Sequence, residues 1–182
     1  MSEGLVLVAR AMEFAAHKHS SQRRKGLTAE PYVNHLAEVA RLLAESSGGR
    51  DAELVAAGLL HDTLEDTATT AAELEREFGA GILGLVREVT DDKSLPKQER
   101  KRLQVEHAPH LPLPAKLVKL ADKTSNVREI SENPPHDWSM ERRMEYLDWA
   151  VKVVAGCRGT NEALESHFDD TLRRAWERLQ SL

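Results

Sequence analysis

Apolar residues recur along this chain three and four positions apart, the spacing that lays them along one face of an α-helix. Leu5, Val8, Ala9, Met12, Ala15 and Ala16 mark the first such stretch and predict a helix from Leu5 to about His19. A polar, basic segment follows. It holds Gln22-Arg23-Arg24-Lys25-Gly26, with Gly26 as a breaker and Pro31 biasing Glu30 to extended geometry, and reads as a loop. A second helix is predicted from about Asn34, a plausible N-cap, through His35, Val39, Leu42 and Leu43 to the Ser46-Ser47-Gly48-Gly49 stop. Asp51 can cap a third, running from Ala52 to about Glu65. Its Leu54, Val55, Ala57, Gly58, Leu59 and Leu60 make it apolar on most sides, so it belongs at the centre of the molecule.

Thr70 followed by Glu73 resembles a capping box for a helix over Ala71 to Phe78, and Gly79 and Gly81 divide it from another over Ile82 to about Thr90. Lys97 to His107 is charged on every side, a surface helix ended by Pro109, Pro112 and Pro114. From Ala115, the positions Leu117, Val118, Leu120, Ala121, Val127 and Ile130 predict a buried helix that carries Asp122. Ser139 caps a helix to about Val154, and Thr160 or Asn161 begins a last one to Leu179. The sequence holds no alternating strand pattern of useful length, no repeat and no linker. The expected class is all-α, in a single domain spanning residues 1–182.

Composition narrows the function. Hydrophobic residues make up 41% and charged ones 30%, ordinary for a globular chain. The 25 Lys and Arg against 30 Asp and Glu give a net charge of −5, which argues against a broad nucleic-acid footprint. Any anionic ligand must therefore be held by a local cluster. The single cysteine, Cys157, excludes an intramolecular disulfide and a cysteine-based zinc site, and fits a reducing compartment. No signal pattern opens the chain and no apolar run approaches the roughly 18 residues of a membrane span. The expected location is the cytoplasm.

Four chemically capable side chains interrupt the apolar third helix: His61, Asp62, Glu65 and Asp66. In a continuous helix His61 would stack on Glu65 and Asp62 on Asp66, a block suited to a divalent metal. The dipeptide alone proves little, because His136-Asp137 repeats it in a proline-bounded loop without apolar flanks. Three separate helices nevertheless offer a ligand set in His35, His61 with Asp62, and Asp122. Ions such as Mn²⁺ take about six ligands, so these four would leave room for water and a substrate oxygen. For Asp122 the competing reading is a buried pair with Lys119 or Lys123.

The segments Gln22-Arg23-Arg24-Lys25, Pro31-Tyr32-Val33-Asn34-His35, Leu60 to Thr67, Val89-Thr90-Asp91-Asp92-Lys93, Glu99-Arg100-Lys101 and Lys119 to Asn126 resemble, in order and spacing, the hydrolase domain of the RelA/SpoT family. The likeness runs from residue 5 to about 165 and is nearest to the stand-alone small alarmone hydrolases of the metazoan SpoT-homologue type. It implies an HD-domain bundle of about eight to ten helices. It also implies one Mn²⁺ held by His35, His61, Asp62 and Asp122, and a nucleotide substrate, guanosine 3′-diphosphate 5′-di- or triphosphate, cleaved to GDP or GTP and pyrophosphate. Glu65 and Asp66 would orient the attacking water and move its proton without binding the metal. Arg24 and Lys25 would flank the purine, Asn126 would reach base or ribose, and Arg142 and Tyr146, after Trp138, would close over the nucleotide. Lys93, Lys97, Arg100 and Lys101 are further phosphate candidates, although a solvated helix face accounts for most of them. Two departures stand out: Leu36 where the family commonly has proline, and Thr124-Ser125 in place of bulkier residues. Competing readings are hydrolysis of adenine alarmones or of the NADPH 2′-phosphate at the same site, and a nucleotide-sensing module without catalysis. No membrane or nucleic-acid partner is expected, and monomer and homodimer both stay open.

Overall fold

The computed structural model describes residues 2–181. In chain order the helices are α1 (Ser2–Lys18), α2 (Val33–Ser46), α3 (Ala52–Leu60), α4 (Thr63–Asp66), α5 (Ala71–Val89), α6 (Lys97–His107), a 3₁₀ turn (Ala108–His110), α7 (Leu113–Glu132), α8 (Met140–Ala155) and α9 (Glu162–Gln180). Among the described residues there is no strand, only two isolated bridges, Arg23 with Pro31 and Gly26 with Pro135. The all-α expectation holds.

The expected caps form. Asp51 accepts from the Leu54 amide at 2.9 Å, Thr70 from Glu73 at 3.1 Å, Ser139 from Arg142 at 3.2 Å and Asn161 from Leu164 at 2.9 Å. Each satisfies an amide that the first helical turn leaves without a partner. Asn34 does not cap: α2 begins at Val33 after Tyr32, and the Asn34 amide donates sideways to Glu30. The break predicted near Gly79 appears as a sharp bend inside α5, where Gly79 adopts φ 84° and ψ 167°.

One difference matters for the site. The third helix does not continue to Glu65. It stops at Leu60, because His61 Nδ1 donates to the Gly58 carbonyl at 2.8 Å and Thr63 Oγ1 donates to the Leu60 carbonyl at 2.6 Å. Asp62, at φ −98° and ψ −2°, then turns the chain into the short α4. Side chains thus take over carbonyls that further helix would have used.

As expected of a helix apolar all round, α3 is central: Leu54 through Leu60 are buried, and it packs against α1, α2 and α5. A Cβ at Gly58 would collide with Leu43 of α2, so the glycine lets the two helices approach closely. The second column of the core is α7, packed most extensively on α9 and also on α2, α8 and α5. Leu36, Leu43, Leu59, Leu60, Leu74, Val86, Leu120, Leu147 and Phe168 join one continuous apolar cluster. Burying each such side chain contributes about 1.5–3 kcal/mol. By contrast α6 buries no residue, as its charge pattern predicts. Within α7, Lys119, Asp122, Lys123, Thr124, Ser125 and Glu129 are buried polar residues, so this helix carries both core and chemistry. Among the described residues, no helix is long and apolar enough to cross a membrane.

Candidate active site

The α2, α3 and α7 helices bring three distant stretches together. His35 lies in the first turn of α2, His61 and Asp62 at the joint between α3 and α4, and Asp122 midway along α7. His35, His61 and Asp62 each offer a ligand atom within 4.8 Å of the others. Asp122 adjoins them: its Oδ1 lies 3.3 Å from His35 Nε2 and 3.7 Å from His61 Nε2. The expected pair with Lys123 forms, Asp122 Oδ2 accepting from Nζ at 2.8 Å, and it leaves Oδ1 facing the imidazoles. Asn126 Nδ2 also donates to Oδ1, at 2.6 Å.

The donor set fits a cation. The Gly58 carbonyl can only accept, so His61 carries a proton on Nδ1 and turns Nε2 toward the carboxylates. That buried Nε2 has no hydrogen-bond partner, although Asp62 Oδ2 is 3.0 Å away: the contact is one of charge, with the direction of a hydrogen bond missing. Burial disfavours a charged His61, but the carboxylates of Asp62 and Asp122 outweigh it and push the ring up to about 10. For His35 burial prevails, and with Arg24 adding repulsion its pKa falls below the usual value. Asp62 and Asp122 are held ionised despite burial, by the imidazoles and, for Asp122, by Lys123. Two anionic carboxylates and two imidazole nitrogens converging on one gap suit a divalent ion. Tyr32 completes the surround, its hydroxyl donating to Asp62 Oδ2 at 2.6 Å. His136 and Asp137 lie away from this cluster; both are exposed, and Asp137 faces Arg142 at 3.8 Å.

A cavity of about 140 Å³ beside the cluster is lined by His61, Asp62, Glu65, Asp91, Lys119, Asp122 and Lys123, among others. It borders a cleft of about 790 Å³, with Tyr32 and Asn126 lining both. Glu65 and Asp66, neighbours in α4, face different spaces. Glu65 faces the inner cavity, accepting the Asp91 amide at 3.0 Å with Arg100 at 3.6 Å. Burial pushes its pKa above the usual carboxylate range, reinforced by Asp91 and Asp62, against the pull of the Asp91 amide. Asp66 faces the larger cleft and pairs with Lys93.

The loop between α1 and α2 forms one wall of the cleft. It is pinned by the bond from the Arg24 amide to the Glu30 carbonyl (2.8 Å) and by its bridge to Pro135. A Cβ at Gly26 would strike Asn133, so the loop can lie this close to the end of α7 only with glycine there. Arg24 reaches Asn126 Oδ1 at 3.1 Å, Lys25 lines the wall, and Arg142 and Tyr146 face the cleft from α8. Arg142 sits 4.4 Å from the Trp138 ring centre. Lys97 and Lys101, which a solvated helix face would have explained, line the opposite side of the same cleft. Burial, then repulsion from Arg142 and Lys25, lowers the Lys97 pKa, a crowding that an anionic ligand would relieve. Arg102 does belong to a solvated face, paired with Glu99 and Glu106. Tyr32 and Glu129 gained no role of their own from the sequence, whereas Lys123 was expected as a possible partner of Asp122. Tyr32 was visible only as a tyrosine three residues before His35, and its aim at Asp62 follows from the crossing of α2 and the α3–α4 joint.

Known proteins bear on this geometry. A family described as the HD domain matches residues 11–148. The guanosine-3′,5′-bis(diphosphate) 3′-pyrophosphohydrolase MESH1 of Xenopus tropicalis is 52% identical over 169 residues, covering 93% of this chain and 94% of that protein. The MESH1 protein of Homo sapiens is 55% identical over 155 residues, 85% of this chain and 87% of its own length. A solved structure, described as a metazoan ortholog of SpoT that hydrolyses ppGpp and plays a role in starvation responses, superposes with a TM-score of 0.89 at 47% identity. It covers 92% of this chain and 94% of that one. With the helical frame, the His-Asp cluster and these relatives in agreement, the chain belongs to the HD-domain family, in its RelA/SpoT-type, metazoan SpoT-homologue branch.

Proposed function

We propose that this protein is a Mn²⁺-dependent guanosine-3′,5′-bis(diphosphate) 3′-pyrophosphohydrolase, converting (p)ppGpp and water to GDP or GTP and pyrophosphate. One observation carries the reading: the converging imidazoles and carboxylates of His35, His61, Asp62 and Asp122 lie beside a cleft walled by Arg24, Lys25, Lys97, Lys101 and Arg142. That combination suits a polyphosphate presented to a divalent cation, and the MESH1 relatives bear the name of this activity. A divalent ion bound there supplies Lewis-acid chemistry toward a phosphoryl oxygen and toward water.

The residues divide the remaining work. Water attacks the phosphorus joined to O3′ and the O3′–P bond breaks; the 3′ oxygen takes up a proton from solvent, balancing the one that the water gives up to Glu65 and that Glu65 returns to solvent. Asp66, expected to share that proton with Glu65, lines the outer cleft and pairs with Lys93, and in this reading it positions the substrate instead. Arg24 and Tyr146 offer a guanidinium and a ring to the base, and Asn126, touching both Arg24 and Asp122, links base recognition to the metal end. Arg142, Lys97 and Lys101 neutralise the 5′ phosphates. Residues 1–182 act here as one domain, supported by the continuous core beneath the site.

Product identification from ppGpp with and without Mn²⁺ tests the assignment. GDP and pyrophosphate should form only with the ion. Turnover of ppGpp far below that of pppApp or NADPH would assign the site to another ribose-phosphorylated nucleotide, and binding without pyrophosphate release would make it a sensor.

A further inference from the structure

A line of hydrogen bonds runs from the His35 ring away from the cleft toward the surface. His35 Nδ1 lies 2.9 Å from Ser125 Oγ, which lies 2.5 Å from Glu38 Oε2. A serine hydroxyl owns one hydrogen, and a carboxylate oxygen at that distance accepts it. Ser125 therefore has only lone pairs left for His35, and Nδ1 must carry the ring proton. That leaves Nε2 as the lone pair facing Asp122 Oδ1 at 3.3 Å and Asp62 Oδ2 at 3.8 Å.

The outer end is fixed as well. Arg128 Nε reaches Glu38 Oε1, and a terminal guanidinium nitrogen reaches Oε2, both at 2.7 Å. Such two-pronged pairs are short, strong and directional. Burial raises the Glu38 pKa, but the bonds from Arg128 and Ser125 more than reverse this and keep the carboxyl ionised. Glu38 keeps 14% of its side chain exposed and Ser125 is 1% exposed, so the inner bonds are shielded from water. The spacing is helical on both sides: His35 and Glu38 stand three apart on α2, Ser125 and Arg128 three apart on α7, and these helices pack together. None of the three residues lines the nucleotide cleft.

We propose that Arg128, Glu38 and Ser125 form a positioning relay for His35, fixing its Nδ1–H tautomer and strengthening Nε2 as a ligand, so that divalent-ion affinity depends on residues that never touch the ion. The anionic Glu38 draws on the serine hydroxyl, the hydroxyl oxygen becomes a better acceptor for Nδ1–H, and electron density on Nε2 rises. This rests on the metal-centre reading above, while the tautomer can be measured without any metal.

Measurements on the full chain decide it, each made on wild type, Ser125→Ala and Glu38→Gln. In metal-free protein, ¹⁵N NMR of the imidazoles should place the His35 proton on Nδ1 in wild type and lose that preference in Ser125→Ala. Calorimetric titration should show Mn²⁺ affinity reduced about 10–100-fold by Ser125→Ala and about tenfold by Glu38→Gln. The metal-free melting temperatures and the KM for ppGpp at saturating Mn²⁺ should stay near wild type. A His35 proton on Nε2 in wild type overturns the relay, as does unchanged Mn²⁺ affinity in both variants. Affinity lost only in step with the metal-free melting temperature also overturns it, by reducing the three residues to packing. Wild-type protein that shows the Nδ1–H tautomer yet binds no Mn²⁺ refutes the metal reading and with it the effect on affinity.

Discussion

At the scale of single residues, the turn at Asp62 decides how labour is shared. Its φ and ψ swing the chain so that His61 and Asp62 face the histidine of α2, while Glu65 faces the inner cavity and Asp66 the cleft. Asp62→Ala should therefore abolish Mn²⁺ binding in a calorimetric titration. Glu65→Gln should keep the ion and lower kcat by about 10²–10⁴-fold, the range for removing a general base. Equal loss of metal in both would contradict this division. The pH profile separates them further. A base works only when ionised, so activity falls as pH drops through the Glu65 pKa, and burial places that pKa above the ordinary carboxylate value of about 4.3. With Mn²⁺ kept saturating, the acid limb of kcat should lie above that value in wild type and vanish in Glu65→Gln.

At the scale of elements, most of the helices follow from local rules, and the exceptions have local causes. The bend in α5 needs Gly79, because φ 84° with ψ 167° is a region that side chains with a Cβ avoid. Gly79→Ala should cost about 1–3 kcal/mol. Nothing lies within 4 Å of a Cβ built there, so backbone strain alone carries this cost. Gly84, exposed in the same element with no atom near its would-be Cβ and no positive φ, gives the opposite sign. Gly84→Ala should stabilise by about 0.4–1 kcal/mol through reduced freedom of the unfolded chain. Denaturant midpoints of the two variants check the pair, and a Gly79→Ala protein as stable as wild type would remove the backbone explanation for the bend.

At the scale of the whole molecule, the candidate ligands gather at one point from α2, the α3–α4 joint and α7, elements that also meet through apolar packing and through the bonds of Glu38 with Ser125 and Arg128. An ion that binds the folded state alone stabilises it by mass action. Mn²⁺ at about a hundredfold its Kd should add about 2.7 kcal/mol, and chelation should remove it. For a chain of this size each kcal/mol shifts the melting temperature by about 2–4 °C. A melting temperature indifferent to both Mn²⁺ and chelator would mean that the cluster holds no ion. The cleft is likewise a property of the whole, since its cations come from the α1–α2 loop, α6 and α8. An acidic protein thereby concentrates positive charge on one face.

By itself the sequence determined the all-α class, nearly every helix and four of the caps, because hydrophobic period and capping chemistry act within a few residues. His35, His61, Asp62 and Asp122 were legible as candidate ligands, since each is a costly polar group in an apolar setting that only a partner or an ion can justify. Only the tertiary structure decided what those groups face. Asp122 proved to hold Lys123 with one oxygen and turn the other to the imidazoles, two roles that one-dimensional spacing presents as alternatives. The aim of Tyr32 at Asp62, the outward turn of Asp66 and the line from His35 through Ser125 to Glu38 and Arg128 all arise where elements far apart in sequence cross. Local pattern fixes which residues share a helical face, but helix crossing fixes which faces meet, and the chemistry of this site lies in those meetings.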